Sequence, residues 1–228
     1  MNNHDIWQNK LSPVKISYLQ NFAQGSTFLD AGSGTGHYSH WIKQQHTQAC
    51  VIAVDHLESI EHNNLFSYVC ANLEKQLPLS DNTFDTIIAF DIIEHITNEA
   101  YFINELFRIC KTGGVIIGSV PHNDDAFLPA YNLTFRHRRD LTHKRYYTDK
   151  TLENALSQCG FMVKIIDKQG GINPQVIAEF FPRPLQFIVK KSIGMLRRLQ
   201  IVKTNKLASD LFFVAYKPNQ LRNSHAHN

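Results

Sequence analysis

Phe28-Leu29-Asp30-Ala31-Gly32-Ser33-Gly34-Thr35-Gly36 is followed, 25 residues after Asp30, by Val51-Ile52-Ala53-Val54-Asp55. Each stretch begins as a short apolar strand and reaches an acid, and the first then enters three glycines at alternate positions. Glycines let the backbone turn sharply and let a ligand lie against bare main chain. An acid at the tip of the second strand is placed to accept hydrogen bonds from ribose hydroxyls. The pair predicts a nucleoside-binding crevice in an α/β fold.

The spacing selects among nucleosides. Dinucleotide sites use G-x-G-x-x-G and aim a helix N-terminus at a pyrophosphate. This chain has an acid, Asp30, and then G-x-G-x-G. That order resembles motif I of the class I S-adenosylmethionine-dependent methyltransferases. Their cofactor carries an ammonium and a sulfonium rather than a phosphate, which suits an acid beside the loop.

Around this motif the chain alternates helix and strand. Leu11, Val14, Tyr18, Leu19 and Phe22 recur at helical spacing and predict a helix over 10–24. Strands are expected at 26–30, 50–55, 66–70, 85–90, 115–120, 161–167 and 211–216. Further helices are expected from near Gly36 through Trp41 and Ile42, over 97–110, and over 149–158. Thr97 is the expected N-cap of the third helix and Lys111-Thr112-Gly113-Gly114 its stop. Such alternation argues a mainly parallel sheet covered on both faces.

The middle of the chain extends the resemblance. Asn72, Leu73, Leu77-Pro78, Asp81, Phe84-Asp85 and Glu94-His95 come in the order found in the type-11 branch of these methyltransferases, and Gly113-Gly114 and Gly160-Phe161 match it too. The similarity covers 26–167. It implies a Rossmann-like, doubly wound, mainly parallel sheet of roughly seven strands with helices on both faces, and S-adenosyl-L-methionine as cofactor. The cofactor residues it implies are Asp30, Ala31, Gly32, Ser33, Gly34, Gly36, Tyr38, Asp55, His56, Asn72, Leu73, Phe90, Asp91 and His95. Asn72 departs from the pattern, where an acid is commoner, yet its amide oxygen still accepts a hydrogen bond. Asp85 is expected to serve the turn into the fourth strand rather than a ligand.

Residues 121–147 leave the fifth strand where doubly wound sheets bind ligands, and a loop this long reads as an active-site lid. It includes Asp140-Leu141-Thr142-His143, then Arg145 and Tyr147-Thr148, which resemble a type-11 segment that packs over the active-site mouth. His143 and His122 are the candidate general bases, because histidine titrates near neutral pH; Tyr147 joins them as a candidate catalytic residue. No metal is expected, since His137 and His143 have no carboxylate cluster in the sequence to join. Five Lys or Arg against one Asp between 136 and 145 suit either an anionic acceptor or a solvated face.

Composition bounds the rest. The length, 228 residues, suits one domain over 1–228. Hydrophobic residues make up 43% and charged residues 19%, as in a globular protein. Cys50, Cys70, Cys110 and Cys159 form no C-x-x-C pair, so buried free thiols are expected rather than zinc or disulfides. The N-terminus lacks a signal-peptide pattern and no apolar run reaches about 18 residues. A cytoplasmic protein is expected, or one peripheral to the inner face of the membrane.

Residues 168–208 interrupt the common plan. Leu185, Ile188, Val189, Ile193, Leu196 and Leu199 repeat at helical spacing, with Lys190, Lys191, Arg197 and Arg198 between them. Over 183–222 nine Lys or Arg meet one acid, Asp210. A basic amphipathic helix over 183–203 suits a membrane interface, a sheet to cover, or a second subunit. The expected activity is methyl transfer to a small-molecule hydroxyl on a sugar, lipid-linked or polyketide-like acceptor. The alternatives are N- or C-methylation of a small molecule, or a silent cofactor-binding or membrane-docked adaptor. Nucleic acid is not expected as substrate, because Asp91-Ile92-Ile93-Glu94 stands where an Asn-Pro-Pro-Tyr-type motif would.

Overall fold

The computed structural model describes residues 11–57, 65–123, 140–169, 178, 181–198 and 209–219. Its helices are α1 Pro13–Phe22, α2 His37–Gln45, α3 Glu99–Ile109, α4 Asp149–Gln158 and α5 Arg183–Arg198. Its strands are β1 Thr27–Ala31, β2 Cys50–Asp55, β3 Ser67–Cys70, β4 Phe84–Phe90, β5 Cys110–Pro121, β6 Met162–Gln169 and β7 Asp210–Tyr216. They form one seven-stranded sheet in the order β3-β2-β1-β4-β5-β7-β6. The first five strands pair in parallel, and β7 runs antiparallel to both its neighbours.

Successive side chains of a strand point to opposite faces, so the apolar runs divide between two cores. Leu29, Ile87, Ile116 and Phe213 pack in one cluster with Phe102 and Leu106 of α3 and Leu152 and Leu156 of α4. Phe28, Ile88, Ile117 and Val214 pack in another with Tyr18 and Leu19 of α1 and Ile42 of α2. Continuous apolar strands are what a sheet buried on both faces requires.

Asp85 fastens the entry to β1 and β4. Its Oδ2 accepts from the Ser26 and Thr27 backbone N–H (3.0 Å each) and from Thr27 Oγ1 (2.6 Å), while Oδ1 takes Lys111 Nζ at 2.8 Å. It serves the turn, as expected.

Four expectations need correction. The N-cap of α3 is Asn98, whose Oδ1 accepts from Tyr101 N–H at 3.1 Å, so the helix starts after Thr97. Lys111–Gly114 is no stop: Cys110 already opens β5 in extended conformation, and Gly113 at φ +78° donates its N–H to Lys217 O at 2.8 Å. Cys50 and Cys70 are exposed, because they sit at the ends of β2 and β3; only Cys110 and Cys159 are buried. In α5, Leu185 and Ile188 are exposed rather than covered by the sheet, although Val189, Ile193 and Leu196 are half-buried. Residues 124–139 of the expected lid, with Arg136, His137, Arg138 and Arg139, lie outside the described residues, as do 199–203 of the expected helix. Among the described residues no helix is long and apolar enough to cross a membrane.

The sheet leaves no room at Gly118, in the middle of β5. A Cβ there would lie 2.3 Å from Phe213 Cζ and 2.6 Å from Ala89 O. Gly118→Ala is expected to cost about 1–3 kcal/mol, the usual scale for overpacking, read as a shift in the urea midpoint.

Candidate functional site

The glycine run is a turn that only glycine adopts freely. Gly32, Gly34 and Gly36 have φ of +74°, +53° and +75°. Gly32 and Ser33 donate their N–H groups to Val54 O at 2.8 and 3.1 Å, which ties the loop to the end of β2. A Cβ on Gly32 would lie 2.5 Å from Ile92, whereas one on Gly34 would meet open space, so the backbone there can be approached closely.

Two acids flank the loop. Asp55 Oδ2 accepts from Gly34 N–H at 2.8 Å, and Oδ1 from His56 N–H at 2.7 Å, with the His56 imidazole 2.8 Å away. A carboxylate has about four lone-pair sites, so Asp55 keeps capacity for ribose hydroxyls. Asp30 accepts from Ser39 N–H (3.1 Å) and Oγ (2.6 Å). Burial pushes its carboxyl up to about 6; the Ser39 bonds oppose this and the charge of Asp55 adds to it.

Beyond the loop the end of β4 meets α1. Asp91 holds a left-handed φ of +52° and is fixed by Ser119, which accepts its N–H at 2.9 Å and donates its hydroxyl at 2.5 Å. Its other oxygen pairs with Lys15 Nζ at 2.5 Å. Lys15 Nζ lies 5.5 Å from the Tyr38 ring centroid and 5.1 Å from that of Phe90, close enough for cation–π attraction. The Tyr38 and Phe90 rings meet edge-on at 5.1 Å, and Tyr38 OH accepts from Ser12 N–H at 3.2 Å. Sequence reasoning missed Lys15. Its only signal was a lone cation between the apolar positions Val14 and Tyr18.

This donor set fits an amino-acid nucleoside such as S-adenosylmethionine. Asp30 and Asp91 supply negative charge for an ammonium, Lys15 a cation for a carboxylate, and Asp55 acceptors for a ribose. Ala31 and Leu73 are buried, and Asn72 is exposed with its Oδ1 accepting Glu74 N–H at 2.8 Å. Asn72 therefore offers a base edge its amide NH2 and one remaining oxygen lone pair.

A second group of residues lies just past Asp91, in the short 3-10 turn Ile93–His95. Glu94 is 1% exposed, and its Oε2 has no hydrogen-bond partner among the described residues. Burial foremost, then the charge of Asp91, pushes its carboxyl up to about 8. The lid returns over this turn: Lys144 N–H donates to Glu94 O at 2.8 Å, and the His95 and His143 rings stand 4.6 Å apart. Ligand atoms of Glu94, His95 and His143 all fall within 4.8 Å of one another, a set that could also hold a divalent ion. The D-x-T-H stretch braces it from outside. Thr142 Oγ1 sits 2.9 Å from His95 Nδ1 and donates to Asp140 Oδ1 at 2.5 Å, and His143 Nε2 is 3.6 Å from Asp140 Oδ2.

The other catalytic candidates stand elsewhere. Tyr147 is buried and donates its hydroxyl to Glu99, so burial first and Glu99 second push its pKa up. The bond ties the lid to α3. His122 is 2% exposed, with its N–H on Ser209 O and its imidazole 3.8 Å from Asp149. Arg145, one of the cations read as suiting either an anionic acceptor or a solvated face, donates to Ile96 O and Thr97 O at 2.7 Å each.

Known proteins resemble this chain in sequence and fold. A family described as a methyltransferase domain matches residues 7–164. A probable S-adenosylmethionine-dependent methyltransferase of Mycolicibacterium smegmatis is 28% identical over 159 residues, 66% of this chain and 58% of that protein. The human probable tRNA methyltransferase 9B is 32% identical over 113 residues, 48% of this chain and 24% of that protein. The chain thus spans just over half of one relative's length and a quarter of the other's. A crystal structure of a SAM-dependent methyltransferase from Archaeoglobus fulgidus superposes with a TM-score of 0.60 at 19% identity, over 95% of this chain and all of that one.

Proposed function

The chain belongs to the methyltransferase-domain family and takes S-adenosylmethionine as its cofactor, and from that premise we propose that it methylates a hydroxyl of a small-molecule acceptor held against Glu94, His95 and His143. One observation carries the reading: a buried carboxylate oxygen without a partner faces two histidines beside Asp91, at the edge where the glycine loop opens. When bound, the cofactor supplies an electrophilic methyl whose bonding pair stays on sulfur as the new bond to oxygen forms. The protein's part is to align the two reactants and to receive the hydroxyl proton. His143 takes that proton, oriented by Asp140. Glu94, neutral at pH 7 with its carboxyl pushed up to about 8, is a hydrogen-bond donor to the acceptor oxygen rather than a second base. Asp30, Asp55, Asp91 and Lys15 hold the cofactor.

The matching test is calorimetry followed by turnover. S-adenosylmethionine and its demethylated product should compete for one site. Asp55→Ala should weaken both by about 1–3 kcal/mol, the scale for leaving ribose hydroxyls without a charged acceptor. Methyl label from the cofactor should then appear on an oxygen in a panel of small alcohols and phenols. NADH binding more tightly than S-adenosylmethionine would overturn the site. Label in bulk tRNA but in no small molecule would overturn the acceptor class and favour the activity named for the human relative.

A further inference from the structure

The helix α5 has an apolar face that is largely exposed among the described residues. At about 100° per residue, Leu185, Ile188, Val189, Met195 and Leu196 fall on one side. Arg183, Lys190, Lys191, Arg197 and Arg198 fall within one arc on the other. Val189 and Leu196 are half-buried, but Leu185, Ile188 and Met195 are 46%, 58% and 60% exposed. No acid occurs between 183 and 209. An anionic surface is therefore the charge complement of this helix, which carries five cations and no carboxylate of its own. Sixteen residues make a helix about 24 Å long, suited to lying in an interface and not to crossing one.

Topology says where the excursion carrying that face is anchored. The excursion carrying α5 leaves β6 after Gln169 and returns at Asp210, and Gln169, Asp210 and Pro121 are neighbours across the sheet. This is the carboxyl edge of the parallel strands, shared with the glycine loop, Asp55 and Asp91. We propose that α5 docks the protein on an anionic lipid bilayer, with the apolar side in the acyl boundary, the cations among the headgroups, and the sheet's carboxyl edge facing the membrane. The docking stands on α5 alone; its use, presenting a membrane-borne acceptor to the methyl donor, rests on the proposed methyl transfer.

Cosedimentation of the full chain with vesicles tests it. Vesicles of phosphatidylglycerol and phosphatidylcholine should carry the protein down at low salt, vesicles of phosphatidylcholine alone should not, and added salt should release it. Replacing Lys190, Lys191, Arg197 and Arg198 together by Gln should lower the partition by a factor on the order of 10² to 10³, taking each cation at its usual surface contribution. Leu185, Ile188 and Met195 changed together to Ser should also abolish it. Leu185, Ile188 and Met195 are exposed and no residue of α5 belongs to the set proposed to hold the cofactor, so both variants should keep wild-type calorimetric affinity for S-adenosylmethionine. Absence of wild-type binding to anionic vesicles overturns the proposal. So does equal binding to both vesicle types, or an undiminished triple-Ser variant. A wild-type dimer in ultracentrifugation that the triple-Ser change splits, without vesicle binding, assigns the face to a second copy instead. If the wild type binds vesicles but not the cofactor, the docking stands and the methyl-transfer reading fails.

Discussion

Alanine in place of His143 is expected to lower kcat by about 10²-fold or more, within the range of general-base contributions, and to leave the affinity for S-adenosylmethionine nearly unchanged. The two effects separate because the groups are separate. The proposed cofactor set lies on β1, the glycine loop, the ends of β2 and β4, and α1, while His143 belongs to the lid and stands beside Asp140 and His95. A base must be neutral to act, so the wild-type rate should rise with pH as the imidazole loses its proton, and the variant should lose that limb. Equal losses in rate, cofactor affinity and melting temperature would show instead that the imidazole is a tie between lid and turn. Asp140→Asn offers a milder check: it should shift the pH limb more than it lowers the plateau.

Asp85→Ala is expected to cost about 3 kcal/mol of stability, chiefly because two buried-edge backbone N–H groups lose a charged acceptor. The Lys111 ion pair adds less, since Lys111 is 38% exposed. Partial burial raises the Asp85 pKa, but the Lys111 ammonium, the Thr27 hydroxyl and the two N–H groups outweigh it and hold the carboxyl well below the usual range. A depressed folded-state pKa contributes stability that is present above the unfolded value of about 4 and is lost as pH falls further. Urea unfolding of the wild type should therefore weaken steadily below about pH 4. In Asp85→Asn that part of the acid dependence should be missing. Identical pH slopes in the two proteins would remove Asp85 from the account.

What the sequence disclosed was whatever repeats locally. The apolar runs at β1, β2, β4 and β7 and the left-handed glycines between Asp30 and α2 follow from periodicity and backbone sterics, so the strands and the glycine loop were legible. Asp85 was legible too, because an acid at the start of a strand has backbone donors within reach. The acceptor side was not. That Glu94 is buried without a partner depends on Lys144 and His143 folding back from 50 residues away. Lys15 reads as an ordinary helix-surface lysine until α1 lies over Tyr38 and Phe90. Tyr147 looked functional in its motif, yet Glu99, itself unremarkable in sequence, claims its hydroxyl. Thr97 and Asn98 are both good caps, and their order is decided by which one has the side-chain geometry to reach Tyr101 N–H.

The antiparallel strand wedged between β5 and β6 has a consequence for synthesis on the ribosome. Translation completes β6 before β7 exists, so a nascent chain ending near residue 209 has a β6 with no neighbour to hydrogen-bond and a β5 with one bare side. Val115 to Val120, buried in the finished sheet, then form an open apolar edge of the kind that recruits foreign strands. The last strand made seals both gaps at once through Leu211–Ala215. The intervening excursion delays that closure in time while costing little at equilibrium, since doubling a loop's length adds only about 0.6 kcal/mol. Premature termination or proteolytic loss of the final strand should consequently yield aggregates rather than a smaller working enzyme.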